Sequence, residues 1–164
     1  MSDYSGKNIF EKIGAFIPGY KGYSEKERRR DTDKLLRVEI AKYLDHMKET
    51  LNEIIRSQTD ERKLGLISDL DRIKRNLDIA ANQIRYASHG ESGFFDVVQV
   101  NVSDLDNLYK YDLEIKEETE ALKQTIRSLE TSGNFKSDCS AIIGKLTVLS
   151  EKISDRDRVI AEVR

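Results

Sequence analysis

Residues 103–131, SDLDNLYKYDLEIKEETEALKQTIRSLET, decide the fold. Within them Leu105, Leu108, Asp112, Ile115, Thr119, Leu122, Ile126 and Leu129 follow one another at steps of three and four. An α-helix turns once in 3.6 residues, so these steps place the whole series on one stripe. Asp104 and Asp106 stand in the first turn, where the helix dipole favours negative charge. Ser132-Gly133-Asn134 closes the segment, with Gly suited to stop one helix and Asn to cap the next. The stripe then resumes through Phe135, Cys139, Ile142, Leu146, Leu149, Ile153, Arg156, Ile160 and Val163. Two stripes joined by so short a turn predict an antiparallel helix pair.

Working upstream, Leu35, Leu36, Ile40, Tyr43, Met47, Leu51 and Ile54 form a third stripe. Ser24 followed by Glu27 reads as the capping box that opens its helix. Leu66, Leu70, Ile73, Leu77, Ala80 or Ala81, and Ile84 form a fourth. Between the third and fourth stripes, residues 56–61 contain neither Gly nor Pro. One continuous helix of about sixty residues is therefore open. A break near Ser57–Asp60, where Ser, Thr and Asp offer caps, is preferred. Gly90 and Gly93 end the fourth stripe, and Phe94-Phe95 with Val97, Val98, Val100 and Val102 reads as an extended plug over one bundle end.

The N-terminal residues differ in texture. Ile9, Phe10, Ile13, Phe16 and Ile17 recur at helical spacing, so residues 8–17 predict a short amphipathic helix ended by the Pro18-Gly19 turn. The expected architecture is all-α: an elongated, coiled-coil-like antiparallel four-helix bundle with a short N-terminal amphipathic helix. Residues 1–23 are the amphipathic segment and turn, and 24–164 the bundle, with helices at about 24–57, 60–88, 103–131 and 134–163. Up-down-up-down order is favoured, although the connection after residue 88 is long enough to cross the bundle.

Composition narrows the function classes. Charged residues make up 35% of the 164 and the net charge is −2, so nothing global favours nucleic acid. Residues 1–37 hold nine Lys/Arg against six Asp/Glu, a modest local net of +3. The single cysteine, Cys139, fits a reducing compartment and a buried structural role. No apolar run is long enough for a bilayer, and residues 1–17 lack the continuous apolar core of a signal peptide. The expected location is cytoplasmic, or peripheral to the membrane. Di-iron bundles need Glu-x-x-His motifs, but His46 and His89 are preceded at that spacing by Tyr43 and Tyr86. No metal, cofactor or catalytic residue is expected. No Gly-rich phosphate loop is present either, because Gly90-Glu91-Ser92-Gly93 lacks both the spacing and the Lys-Ser/Thr ending.

Three constellations remain. Asp112 and Arg156 fall on the seams of neighbouring antiparallel helices, and counting outward from residues 132–134 puts them within about one turn. A charge taken into a core is costly unless paired, so a polar pair fixing helix register is expected, with a ligand pocket as the alternative. Arg28, Arg29 and Arg30 with Tyr20 and Tyr23 form a candidate basic, anion-contacting patch, or else a salt-bridged helix start. Ile9, Phe10, Ile13, Phe16 and Ile17 form a face that either folds back on the bundle or docks a protein or membrane surface.

Ile17-Pro18-Gly19-Tyr20-Lys21-Gly22-Tyr23 runs into Glu27-Arg28-Arg29-Arg30 and Asp33-Lys34-Leu35-Leu36-Arg37. Gly93-Phe94-Phe95-Asp96, Leu105-Asp106-Asn107-Leu108-Tyr109 and Tyr111-Asp112-Leu113 follow. In this order of motifs, over most of its length, the chain resembles an uncharacterised family of small prokaryotic helical-bundle proteins. The resemblance carries no catalytic residues and implies a structural or adaptor role. The expectation is a non-enzymatic interaction or scaffold protein, with a protein partner or self-association. The alternatives are peripheral membrane association through residues 8–17 and the basic start of the first long helix, or a small-ligand binder around Asp112.

Overall fold

A computed structural model describes residues 6–23, 28–57, 64–87 and 101–162. Within them the chain is all-α: a short α1 (Gly6–Phe16), then α2 (Arg29–Ser57), α3 (Leu64–Tyr86), α4 (Val102–Ser128) and α5 (Phe135–Glu162). The four long helices pack into an elongated bundle, with α1 laid against it. The helices form because their stripes complete one core. Leu44, Leu51, Leu77, Ile115, Leu122, Ile142 and Leu149 all join a single buried cluster that also takes in Ile13 and Ile17.

Ion pairs between helices fix the directions. Lys48 meets Asp78 and Arg85 meets Asp45, so α2 and α3 run antiparallel. Lys152 meets Glu114 and Arg156 meets Asp112, so α4 and α5 do the same. The two hairpins then lie side by side, α3 on α5 and α2 on α4. One end of the bundle collects the starts of α2 and α4 and the ends of α3 and α5, because Arg156 reaches Asp33 and Arg37 reaches the carbonyls of Arg85 and Ala87. The order is up-down-up-down. The connection from α3 to α4 begins and ends at the same end of the bundle, so the crossover alternative does not apply.

Local signals account for the helix ends that can be described. Asn101, one residue before α4, accepts a hydrogen bond from the Asp104 amide at 2.9 Å, which satisfies an orphan donor of the first turn. A 3-10 turn at Leu129–Thr131 tightens the end of α4. The Ser24–Glu27 capping box, the break near residues 58–60 and the Phe94-Phe95 plug lie outside the described residues. So does the Gly90–Gly93 stretch.

The N-terminal segment forms a strap. Phe10 meets Tyr109 of α4 edge to face at 4.6 Å, and Phe16 stacks on Tyr43 of α2 at 4.2 Å. After α1, Pro18-Gly19 turns the chain: the Tyr20 amide bonds the Ile17 carbonyl at 3.1 Å, and Gly19 sits at φ 87°, as the third position of a type II turn requires. Residues 20–23 then double back toward the start of α1.

Candidate functional site

The strap ends on a buried charged cluster, built from one seam position after another. Asp112 occupies the stripe of α4 and Arg156 that of α5, and both are fully buried. Arg156 Nε donates to Asp112 Oδ1 at 2.7 Å. Asp112 Oδ2 accepts from the Tyr23 hydroxyl at 2.7 Å and the Tyr20 hydroxyl at 3.1 Å. Arg156 Nη2 donates to Asp33 Oδ1 at 2.7 Å and to the Tyr23 oxygen at 3.0 Å. Asp33 Oδ2 in turn accepts from Arg37 Nε at 2.9 Å. Arg37 Nη1 points at the carbonyls of Arg85 and Ala87, where the end of α3 presents the negative pole of its dipole. Within this hydrogen-bonded set two carboxylates balance two guanidinium groups, as burial demands, and the half-buried Asp157 carboxyl lies within electrostatic reach of Arg156, Asp33 and Arg37. Among these side chains only Arg156 Nη1 has no hydrogen-bond partner.

Burial and charge act together on the titrations. Burial pushes the Asp112 carboxyl above the usual carboxylate range, while Arg156 and the Tyr23 hydroxyl pull it back. Burial opposes the Arg156 charge, but Asp112, Tyr23 and Asp33 more than offset this and hold it well above its ordinary value. Burial, and then the Asp112 charge, lift both the Tyr20 and Tyr23 hydroxyls far above the usual tyrosine value. Both therefore stay protonated and act as donors to the carboxylate.

An irregular segment can be buried only if its backbone finds partners. Here side chains from α2 and α4 supply them. The Tyr23 amide donates to the Tyr109 hydroxyl. The Tyr23 carbonyl accepts from Arg29 Nε at 2.8 Å, and the Gly22 carbonyl from Thr32 Oγ1 at 3.0 Å. Gly22 has φ 73°, and a Cβ there would stand 2.0 Å from the Phe10 ring. Only glycine passes beneath Phe10 in that conformation.

No family model, curated protein or solved structure matches the chain. The geometry is thus the basis for any functional reading. Among the described residues, no group of three or more His, Cys, Asp or Glu is placed to hold a metal ion. No described helix is long and apolar enough to cross a membrane.

The structure brings Asp112 and Arg156 together and adds Asp33, Arg37, Tyr20 and Tyr23 to them. Two expectations are corrected. Ile13 and Ile17 are fully buried, and Ile9 and Phe16 are nearly so, with Phe10 half-buried. Of the two readings of this face, folding back on the bundle is the one seen and docking is corrected: the face is core, because the groove between α2 and α4 covers it. The basic patch is also divided. Tyr20 and Tyr23 turn inward to Asp112, Arg29 is half-buried on the Tyr23 carbonyl, and Arg28 and Arg30 stay exposed. The tyrosines prefer the buried carboxylate because it gives their hydroxyls an acceptor that a guanidinium cannot. A ligand pocket around Asp112 is likewise filled by the protein's own tyrosines.

Asp33 and Arg37 lie in the densely charged start of the first long helix and do not stand out there as core residues. A signal was present. Positions 33, 37, 40, 44, 47, 51 and 54 alternate steps of four and three, so the core stripe of α2 extends back through both charges.

Proposed function

We propose that this protein is a non-enzymatic helical scaffold that binds other protein molecules through its exterior, in a reducing compartment. One observation carries the reading. The charged groups on the seams at this end of the bundle are spent on one another, in a neutral cluster that Tyr20 and Tyr23 close against solvent. Such a cluster fixes helix register and locks the strap, and it leaves no reactive group facing a substrate. Cys139, the single cysteine and buried, accords with the compartment. The adaptor role implied by the resemblance of its motifs to small helical-bundle proteins agrees with this reading. Membrane attachment through residues 8–17 is the weaker alternative, since Ile13 and Ile17 would first have to leave the core.

The test is recovery of the tagged full chain from its native host in reducing buffer, with cross-linking to define stoichiometry. A defined protein complex is expected, and Tyr20→Phe, which alters the interior alone, should retain it. A thermal-shift screen with nucleotides, organic acids and metal salts provides the opposing outcome. A saturable stabilisation that Tyr20→Phe abolishes would replace the scaffold reading with a small-ligand site at the cluster.

A further inference from the structure

The outer seams of the bundle are closed in two ways. Ion pairs tie α2 to α3, through Lys48 to Asp78 at 2.5 Å and Arg85 to Asp45 at 2.6 Å, and Lys152 to Glu114 at 2.7 Å ties α4 to α5. Between α3 and α5 the described residues make no ion pair. Gln83 Nε2 instead donates to the Ser150 carbonyl at 3.1 Å and to Ser154 Oγ at 2.7 Å.

On the side of α3 away from the core, Ile79 and Tyr86 turn outward, 60% and 72% exposed. They stand seven residues apart, so they share a line along the helix about 10.5 Å apart. Arg72, seven residues before Ile79, lies on the same line, exposed and without an ion-pair partner among the described residues. The line is symmetric about Ile79, with a cation seven residues before it and an aromatic ring seven residues after.

We propose that this face docks a second copy of the chain. The two α3 helices cross antiparallel on a two-fold axis at Ile79, and Arg72 of each copy lies over the partner's Tyr86. A two-fold interface must be self-complementary, and a guanidinium and a tyrosine ring equally spaced from the axis satisfy each other. The same axis brings Arg75 opposite the partner's Asn82, whose side-chain oxygen is an acceptor. An unrelated partner would have to bring both an aromatic ring and a cation at this spacing, which a second copy supplies already. A contact along one helix face about four turns long is small beside the ~1,200–2,000 Å² buried by stable interfaces, so the dimer is a reversible one. The proposal deepens the scaffold reading by making the chain its own partner.

Sedimentation velocity on the full chain, from about 5 to about 500 µM, covers the micromolar range of reversible association. A monomer–dimer equilibrium is expected. Ile79→Glu should weaken it at least about tenfold and Tyr86→Ala about fivefold, with unchanged circular dichroism because both sites are exposed. Under mild oxidation Ile79→Cys should form a disulfide across the axis, whereas Tyr86→Cys should not. A chain monomeric throughout overturns the proposal, as does a dimer indifferent to Ile79→Glu. Dimers that form without the Ile79→Cys cross-link overturn the two-fold geometry. If Ile79→Glu instead abolishes a complex with a different protein, the face serves that protein. The scaffold reading then stands and the second copy is excluded.

Discussion

Replacing Tyr23 with phenylalanine removes one oxygen from the centre of the buried cluster and nothing else. That oxygen donates to Asp112 at 2.7 Å and accepts from Arg156 at 3.0 Å. Neither charged partner is left bare. Asp112 keeps Arg156 at 2.7 Å and Tyr20 at 3.1 Å, and the same Arg156 nitrogen keeps Asp33 at 2.7 Å. The loss is therefore that of hydrogen bonds to charged groups, about 1.5–3 kcal/mol, and falls short of the ~3–5 kcal/mol for stranding a buried charge. About 2 kcal/mol is expected, or about 4–8 °C in melting midpoint for a chain of this length. Tyr20→Phe removes a single bond of 3.1 Å at a slightly exposed position and should cost about 1 kcal/mol. Urea titrations followed by circular dichroism measure both, with an unchanged denaturant slope as the sign that only native-state stability has moved. A Tyr23→Phe loss below ~0.5 kcal/mol, or a larger loss at Tyr20 than at Tyr23, would refute the assignment of an ionised Asp112 held by two hydroxyls.

Asp112→Ala strands Arg156 beside Asp33 alone and should cost about 3–5 kcal/mol in the same titration. Alkaline unfolding is expected too. The folded values of Tyr20 and Tyr23 lie above the ordinary tyrosine value, and that of Tyr109 is pushed up to about 12, largely by burial. Their stabilisation is complete below pH ~10 and declines above it by up to about 1.4 kcal/mol per pH unit for each. Absorbance at the tyrosinate band should show these rings ionising together with loss of helix, and free titration of all seven tyrosines in the folded state would contradict this. Deleting residues 1–17 removes Ile13 and Ile17 from the core and should lower the melting midpoint by more than about 10 °C, since each fully buried aliphatic contributes about 1.5–3 kcal/mol. An unchanged midpoint would make the strap dispensable. Burial pushes the Cys139 thiol up to about 11, so it should react with a disulfide reagent only as fast as the chain opens.

The bundle was legible because its signal is local. Steps of three and four in α4 and α5 can be read without knowing what they pack on, and a charge on such a stripe announces a buried polar contact. Asp112 and Arg156 were found in this way. Asp33 and Arg37 obey the same spacing, but they sit amid a run of charges that reads as solvated, and density of charge outweighed period. The strap was legible in part. An amphipathic face states that something covers it, and only the tertiary structure shows that the cover is the groove between α2 and α4. Tyr20 and Tyr23 have no period to reveal them, because residues 20–23 are placed by a turn, by Arg29 and Thr32 on their carbonyls, and by partners 86 to 133 residues away.

That separation sets an order of assembly. Tyr23 is made before the guanidinium it bonds, which lies 133 residues later in the chain. Of its other partners Arg29 follows within six residues, whereas Tyr109 and Asp112 are also made long after it. At about 5–20 residues per second, the strap waits several seconds for a receptor to exist. During that interval Ile9, Ile13, Phe16 and Ile17 have no groove to enter, and Asp33 has no Arg156. The strap therefore completes its contacts only once α5 has been made, and until then its apolar side chains are open to other chains.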